Sequence, residues 1–201
     1  MKKVLAAVLI GLAVGSAVFA AEDGKMEMYA KATIGYGGAG VNFKNYHPDI
    51  PLAGFGQSVY GFEITPAFGF GMPFSVDQNW GAIKFAVEVQ VPIVLGSANI
   101  YGKNFAFMLK PGAMFMAGYY FPSDFPEWLQ KLSPHMGTGF SIPIATSSWN
   151  GGSDSGAGFS VDILTGVQYD FNEHISAVVD WNQAIGTGYG TSIRLGGIWR
   201  F

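Results

Sequence analysis

The chain has 201 residues, of which only 12% are charged; it carries a formal charge of −3, no cysteine, 29 glycines and 17 phenylalanines. A soluble domain of this size usually has about 25% charged residues and needs them to cover its surface. The acidic balance, −5 once Lys2 and Lys3 are removed with a leader, argues against nucleic acid, and the absence of cysteine excludes disulfides and thiolate metal sites.

Met1–Ala20 has the layout of a cleaved signal peptide: Lys2 and Lys3, an apolar run over Val4–Val14, and Val18-Phe19-Ala20 before Ala21. Residues 21–201 then read as one all-β domain. A first strand spans Met26–Tyr36, with Met28, Ala30, Ala32, Ile34 and Tyr36 on one face and Glu27, Tyr29, Lys31 and Thr33 on the other. After a long loop over Val41–Ser58, Val59–Phe74 alternates Phe62, Ile64, Phe68 and Phe70 with Glu63, Thr65, Gly69 and Gly71. The third strand, Ile83–Leu95, is the clearest: every odd position from Ile83 to Leu95 is apolar, against Lys84, Glu88 and Gln90. It exceeds the usual strand length of about 5–6 residues but suits a tilted bilayer crossing, which needs about 9–11.

The same alternation predicts strands over Phe105–Phe121, His135–Thr146, Phe159–Phe171, Ile175–Asn182 and Thr191–Phe201, with a few helical turns between Asp124 and Leu132 and loops over Ser147–Gly158 and Gln183–Gly190. That makes eight strands joined by short turns and longer loops in rough alternation, the pattern of an eight-stranded antiparallel up-and-down transmembrane β-barrel preceded by a signal peptide. Pro66, Pro92, Pro111 and Pro143 are the misfit, because each removes a ladder donor and a closed barrel has no edge to hide it on. They call for bulges.

The charges fix the sidedness. Within strands they fall on the face carrying Gly, Ala, Ser and Thr, and none falls on the oily face, so the oily face should meet lipid and the charged face line a narrow lumen. Buried ions need partners; counting across hairpins pairs Glu88 with Lys110, Lys31 with Glu63, Asp180 with Arg194, and Glu27 with Arg200 across the closure. These pairs should plug the barrel. Tyr36, Tyr60 and Trp181 at one rim, and Phe74, Trp80, Tyr119, Trp199 and Phe201 at the other, form candidate girdles at the headgroup level.

The terminal segment Ser192-Ile193-Arg194-Leu195-Gly196-Gly197-Ile198-Trp199-Arg200-Phe201 resembles the targeting strand that the bacterial outer-membrane barrel assembly machinery reads. With the leader and the eight strands, the mature chain resembles the small outer-membrane barrels of the OmpA membrane-domain, OmpX and OmpW types. The resemblance implies an integral outer-membrane location, outer-membrane lipids and the assembly machinery as partners, and no cofactor. For function it implies a structural or surface-exposed barrel. An alternative is OmpW-like passage of small hydrophobic molecules through a shallow outer pocket, lined here by Thr33, Val59, Pro92, Val94, Met108, Ser141 and Pro143.

A lipid-modifying enzyme is the remote third reading. His174-Ile175-Ser176 is similar to the His-x-Ser of lipid A deacylase barrels but falls at a turn on the wrong side of the membrane, and His47, Asp49 and Ser58 share a loop that collects such residues for turn chemistry. His47, His135 and His174 lack the spacing of metal ligands. Met114 and Met116 read as packing.

Overall fold

A computed structural model describes residues 26–43, 57–77, 81–99, 103–149 and 152–201. They form one closed antiparallel barrel of twelve strands, β1 (Glu27–Phe43), β2 (Gln57–Asp77), β3 (Gly81–Gln90), β4 (Ile93–Asn99), β5 (Lys103–Leu109), β6 (Gly112–Tyr120), β7 (Leu132–Ser141), β8 (Ile144–Trp149), β9 (Gly152–Ala157), β10 (Ser160–Asp170), β11 (Ile175–Gly186) and β12 (Gly190–Arg200). A single-turn helix, α1 (Glu127–Gln130), precedes β7; Lys131 donates to Glu127 at 2.6 Å, and that bond holds the Glu127 carboxyl below its ordinary pKa. The candidate leader, His47, Asp49 and Trp80 lie outside the described residues.

The expected count of eight strands is corrected to twelve. The expected third, fourth and fifth strands each break in two, at Val91-Pro92, Lys110-Pro111 and Ile142-Pro143, and β9 forms inside what alternation alone reads as the Ser147–Gly158 loop. The physical reason is proline: without an N–H it cannot continue the ladder on its donor side. Its carbonyl can still accept, and here each one does. Val91 N donates to Pro66 O at 3.0 Å, Lys110 N to Pro92 O at 2.8 Å, Ile142 N to Pro111 O at 2.9 Å and Gly158 N to Pro143 O at 2.8 Å. The breaks therefore lie on successive staves and form one seam climbing around the barrel.

At the seam the ring changes size. On the side of Met26 and Phe201 it closes through eight strands, in the order β1-β2-β3-β6-β7-β10-β11-β12. One row followed around it runs from Arg200 through Tyr29, Gly69, Glu88, Met114, Gly139, Asp162 and Ala184 to Gly190, ten residues up the same strand. Beyond the seam, β1 passes from β12 to β9, pairing at Asn42 with Ala157 and Phe43 with Gly156. This second ring has six strands, β1-β2-β4-β5-β8-β9. Its row from Phe43 returns at Gly35, eight residues along. With ordinary strand spacing and rise, the backbone radius falls from about 8 Å to about 6 Å. The β11–β12 hairpin stops at this step, its turn held by Gly40 N to Tyr189 O and Gly188 N to Phe159 O.

Side chains confirm the sidedness read from the sequence. Ile34, Phe62, Phe115, Phe140, Val161 and Leu195 point outward and are exposed, whereas Lys31, Glu63, Glu88, Asp162, Asp180 and Arg194 are buried within. Of the expected girdle, Tyr36, Trp181, Trp199 and Phe201 are exposed on the outer wall, and Tyr60 and Tyr119 are half-buried. The surroundings of the Phe74 side chain lie outside the described set. Leu195, 58% exposed in the middle of β12, tests the lipid face. Leu195→Arg should lose about 2–4 kcal/mol of folding stability in lipid vesicles by denaturant titration, and Leu195→Ala much less.

Candidate functional site: the lumen

Charged side chains enter the lumen because the strand period places every second residue inward, and they meet there in layers. At the mouth near the termini, Glu27 pairs with Lys84, while Arg200 pairs with Asp170 at 2.7 Å and lies 3.9 Å from Glu27. Above them Lys31 sits between two carboxylates, 3.2 Å from Glu88 and 2.8 Å from Asp180. Tyr29 donates to Glu88 at 3.1 Å, and His135 Nε2 lies 2.8 Å from Asp180 Oδ1. Next, Arg194 faces Glu63 at 2.5 Å and donates to Gln90 at 2.9 Å, and Thr65 donates to Glu63 at 2.8 Å. In the next polar layer Lys110 meets Asp162 at 2.5 Å; Ser141 and Asn182 also donate to that carboxylate.

The partners differ from those expected within hairpins, although all eight predicted residues take part in ion pairs. Glu88 pairs with Lys31, not Lys110; Lys31 with Glu88 and Asp180, not Glu63; Arg194 with Glu63, not Asp180; and Glu27 chiefly with Lys84. Nearly every contact skips a stave. Lys31 and Glu88 flank β2, Arg194 and Glu63 flank β1, and His135 and Asp180 flank β10. A narrow ring turns inward-pointing side chains of next-but-one strands toward each other, provided the strand between them presents nothing bulky.

Glycine meets that condition. Tyr29, Gly69 and Glu88 stand in one cross-strand row, as do Glu63, Gly35 and Arg194, and His135, Gly166 and Asp180. A Cβ on Gly69 would lie 2.1 Å from the Tyr29 ring, and one on Gly166 would lie 2.5 Å from both Asp180 Oδ1 and His135 Nε2. The middle glycine is the gap over which two polar side chains join hands. Inward glycines were visible in the sequence as a bland lumen face; what they bridge was not, and His135, Asp162, Asp170 and Gln90 were missed as partners for that reason.

Beyond the polar layers the six-stranded ring is mainly apolar inside, with Ser147 and Asp154 also buried there. Ala39, Val41, Val59, Val94, Ala106 and Met108 are fully buried, and Phe43, Ala98 and Ala145 join them. Of the residues expected around an outer pocket, Val59, Val94 and Met108 belong to this packed core, Thr33 and Ser141 are buried at the polar levels, and Pro92 and Pro143 are buried at the seam. Open space lies at the other end. A mouth cavity of about 540 Å³ is bordered by Glu27, Lys84, Lys131, Asp170 and Arg200, and a deeper one of about 60 Å³, room for a few waters, reaches Lys31, Glu88 and His135.

His174 and Ser176 face other partners. The Ser176 hydroxyl donates to Asp170 at 2.5 Å, and His174, exposed in the β10–β11 turn, faces Glu173 at 3.5 Å. Met114 and Met116 pack with Leu164, Val178 and Ile198. Among the described residues no cluster of three or more His, Cys, Asp or Glu has the arrangement of a metal site.

The glycine bridges carry a direct test. Gly166→Ala should push His135 off Asp180 and lose about 1–3 kcal/mol, the range for a buried group deprived of its partner. In a His135→Ala background the same substitution should cost clearly less, and a double-mutant cycle on unfolding free energies reads the coupling.

The fold agrees with what comparison finds. Neisserial surface protein A is similar over 87% of this chain and 97% of its own, with a TM-score of 0.51 at 15% identity. Ail, the attachment invasion locus protein of Yersinia pestis, has a TM-score of 0.48 at 13% identity, covering 87% of this chain and 99% of Ail. The N-terminal β-barrel domain of Pseudomonas aeruginosa OprF has a TM-score of 0.41 at 13% identity, covering 89% and 100%. No curated protein matches in sequence. The family model described as the outer membrane protein beta-barrel domain matches residues 4–201, nearly the whole chain, and the protein belongs to that bacterial outer-membrane family.

Proposed function

We propose that this outer-membrane protein acts as a structural or surface-exposed barrel whose lumen passes no solute. The observation that carries the reading is the stacking of two closures of different chemistry. Four polar layers cross the eight-stranded section, and nine buried apolar side chains, joined by buried Ser147 and Asp154, occupy the six-stranded one. An ion entering from the mouth would have to break paired charges and then cross a tightly packed, mainly apolar core. The desolvation cost of that second step is several kcal/mol or more. A hydrophobic solute arriving at the opposite end would meet Val41, Phe43 and Val59 already in mutual contact, which favours the surface-barrel reading over OmpW-like passage. Export through a cleaved signal peptide, with the free end of β12 read by the assembly machinery, completes the proposal.

Planar-bilayer recording tests it. The wild-type protein should be silent, and Glu88→Ala should stay silent too, because the apolar core above the ion pairs is intact. Reproducible conductance steps from the wild type would overturn the reading. Saturable binding of small apolar ligands to detergent-solubilised protein, abolished by Met108→Trp, would instead support the transport alternative.

A further inference from the structure

The connection between β6 and β7 differs from the other turns at the mouth. It runs over residues 121–131 and contains α1, whereas the β2–β3 and β10–β11 turns take only residues 78–80 and 171–174. It also carries large apolar side chains outside any strand: Phe125 is 41% exposed, Trp128 is 60% exposed, and no residue of α1 is buried. In a turn surrounded by water, those two side chains would be an apolar patch without a purpose.

Its contacts hold it on the outside of the barrel, clear of the mouth. Tyr119 shares the outward parity of Phe115 on β6 and meets the Phe121 ring edge to face at 5.1 Å; Phe121 meets Phe125 at 5.6 Å. One aromatic run thus continues from the lipid-facing wall into the connection. Gln130 Nε2 donates to Ser123 O at 3.0 Å and to Phe125 O at 2.6 Å, which fixes the turn. Of these residues Lys131 alone borders the mouth cavity. Its carbonyl accepts from Asp170 N at 2.8 Å, setting α1 level with Phe171 and, through Ile175, with Trp199, rim side chains that are exposed too. The polar edge is equally defined. Glu127 and Lys131 pair at 2.6 Å, and Trp128 stands about 100° round the turn from Glu127. An oily edge beside a charged one suits a segment lying in a membrane interface.

We infer that the β6–β7 connection is a lipid-seated foot: Phe125 and Trp128 lie in the phospholipid headgroup layer on the mouth side of the bilayer, with Glu127 and Lys131 turned to water. Continuity of the aromatic run with the lipid-facing wall commits the patch to lipid. The inference needs the membrane barrel and is independent of what the lumen passes. The chain has no native cysteine, so single-cysteine variants place a fluorophore at one position each. Phe125→Cys and Trp128→Cys mark the foot, Leu195→Cys the middle of the lipid belt and Glu173→Cys the aqueous mouth. All four side chains are exposed, which spares the fold. In nanodiscs made with brominated phospholipid, bromine high on the acyl chain should quench the two foot sites more strongly than bromine near the chain end. Position 195 should show the reverse order, and position 173 should keep its emission with either lipid. Foot sites as bright as position 173 in both lipids, beside a quenched position 195, would overturn the inference, leave the membrane barrel standing and free the patch for a protein partner. Unquenched emission at position 195 would overturn the membrane barrel itself and the inference with it.

Discussion

The constraint on which everything else depends is that backbone N–H and C=O groups facing hydrocarbon must find partners within the protein. Ring closure satisfies it for ordinary residues, and four prolines should defeat it. They do not, because their missing donors are gathered along one rising line on which each proline carbonyl still takes a bond from the next stave. A defect scattered at random would leave several orphaned groups; a defect arranged in sequence becomes a joint. The joint also marks the level at which the ring can exchange eight neighbours for six.

Enclosing charges is the second demand, and the lumen meets it by geometry more than by composition. Lys31 is shared between Glu88 and Asp180, and His135 takes the second oxygen of Asp180. Arg194 is fixed by Glu63 and Gln90 together. These links join strands that are not hydrogen-bonded neighbours, so they brace the ring across its bore in a direction the ladder cannot. The glycines beneath them are as necessary as the charges, since a methyl group at Gly166 would occupy the space where His135 and Asp180 meet.

Much of this was legible beforehand. The odd-numbered apolar run from Ile83 to Leu95 and the charges confined to the opposite parity fixed strand identity and sidedness, because a period of two is a local property. Partner choice and ring size are not local. Glu88 and Lys110 looked adjacent when counted across one hairpin, but shear and a skipped strand bring Lys31 to Glu88 instead. Pro92 and Pro143 signalled irregularity without saying that the irregularities were collinear. Nor could alternation show that Val59, Val94 and Met108 touch one another, since the same small apolar residues would line an open pocket or fill a closed one. Ser147–Gly158 resembled a loop because Gly, Ser and Asp dominate it; with the end of β8 and all of β9 inside it, three-quarters of it is strand.

The switch of β1 from β12 to β9 has a topological consequence for the order of the chain. Every strand of the narrow ring comes from residues up to Ala157, so that ring can be sealed without anything later in the sequence. The remaining staves, β10 to β12, belong only to the wide ring, and the last hairpin fits between β10 and β1 like a wedge driven in from one end. Circumference in this protein is therefore a property of each height, and the C-terminal quarter enlarges a cylinder whose far end is already shut.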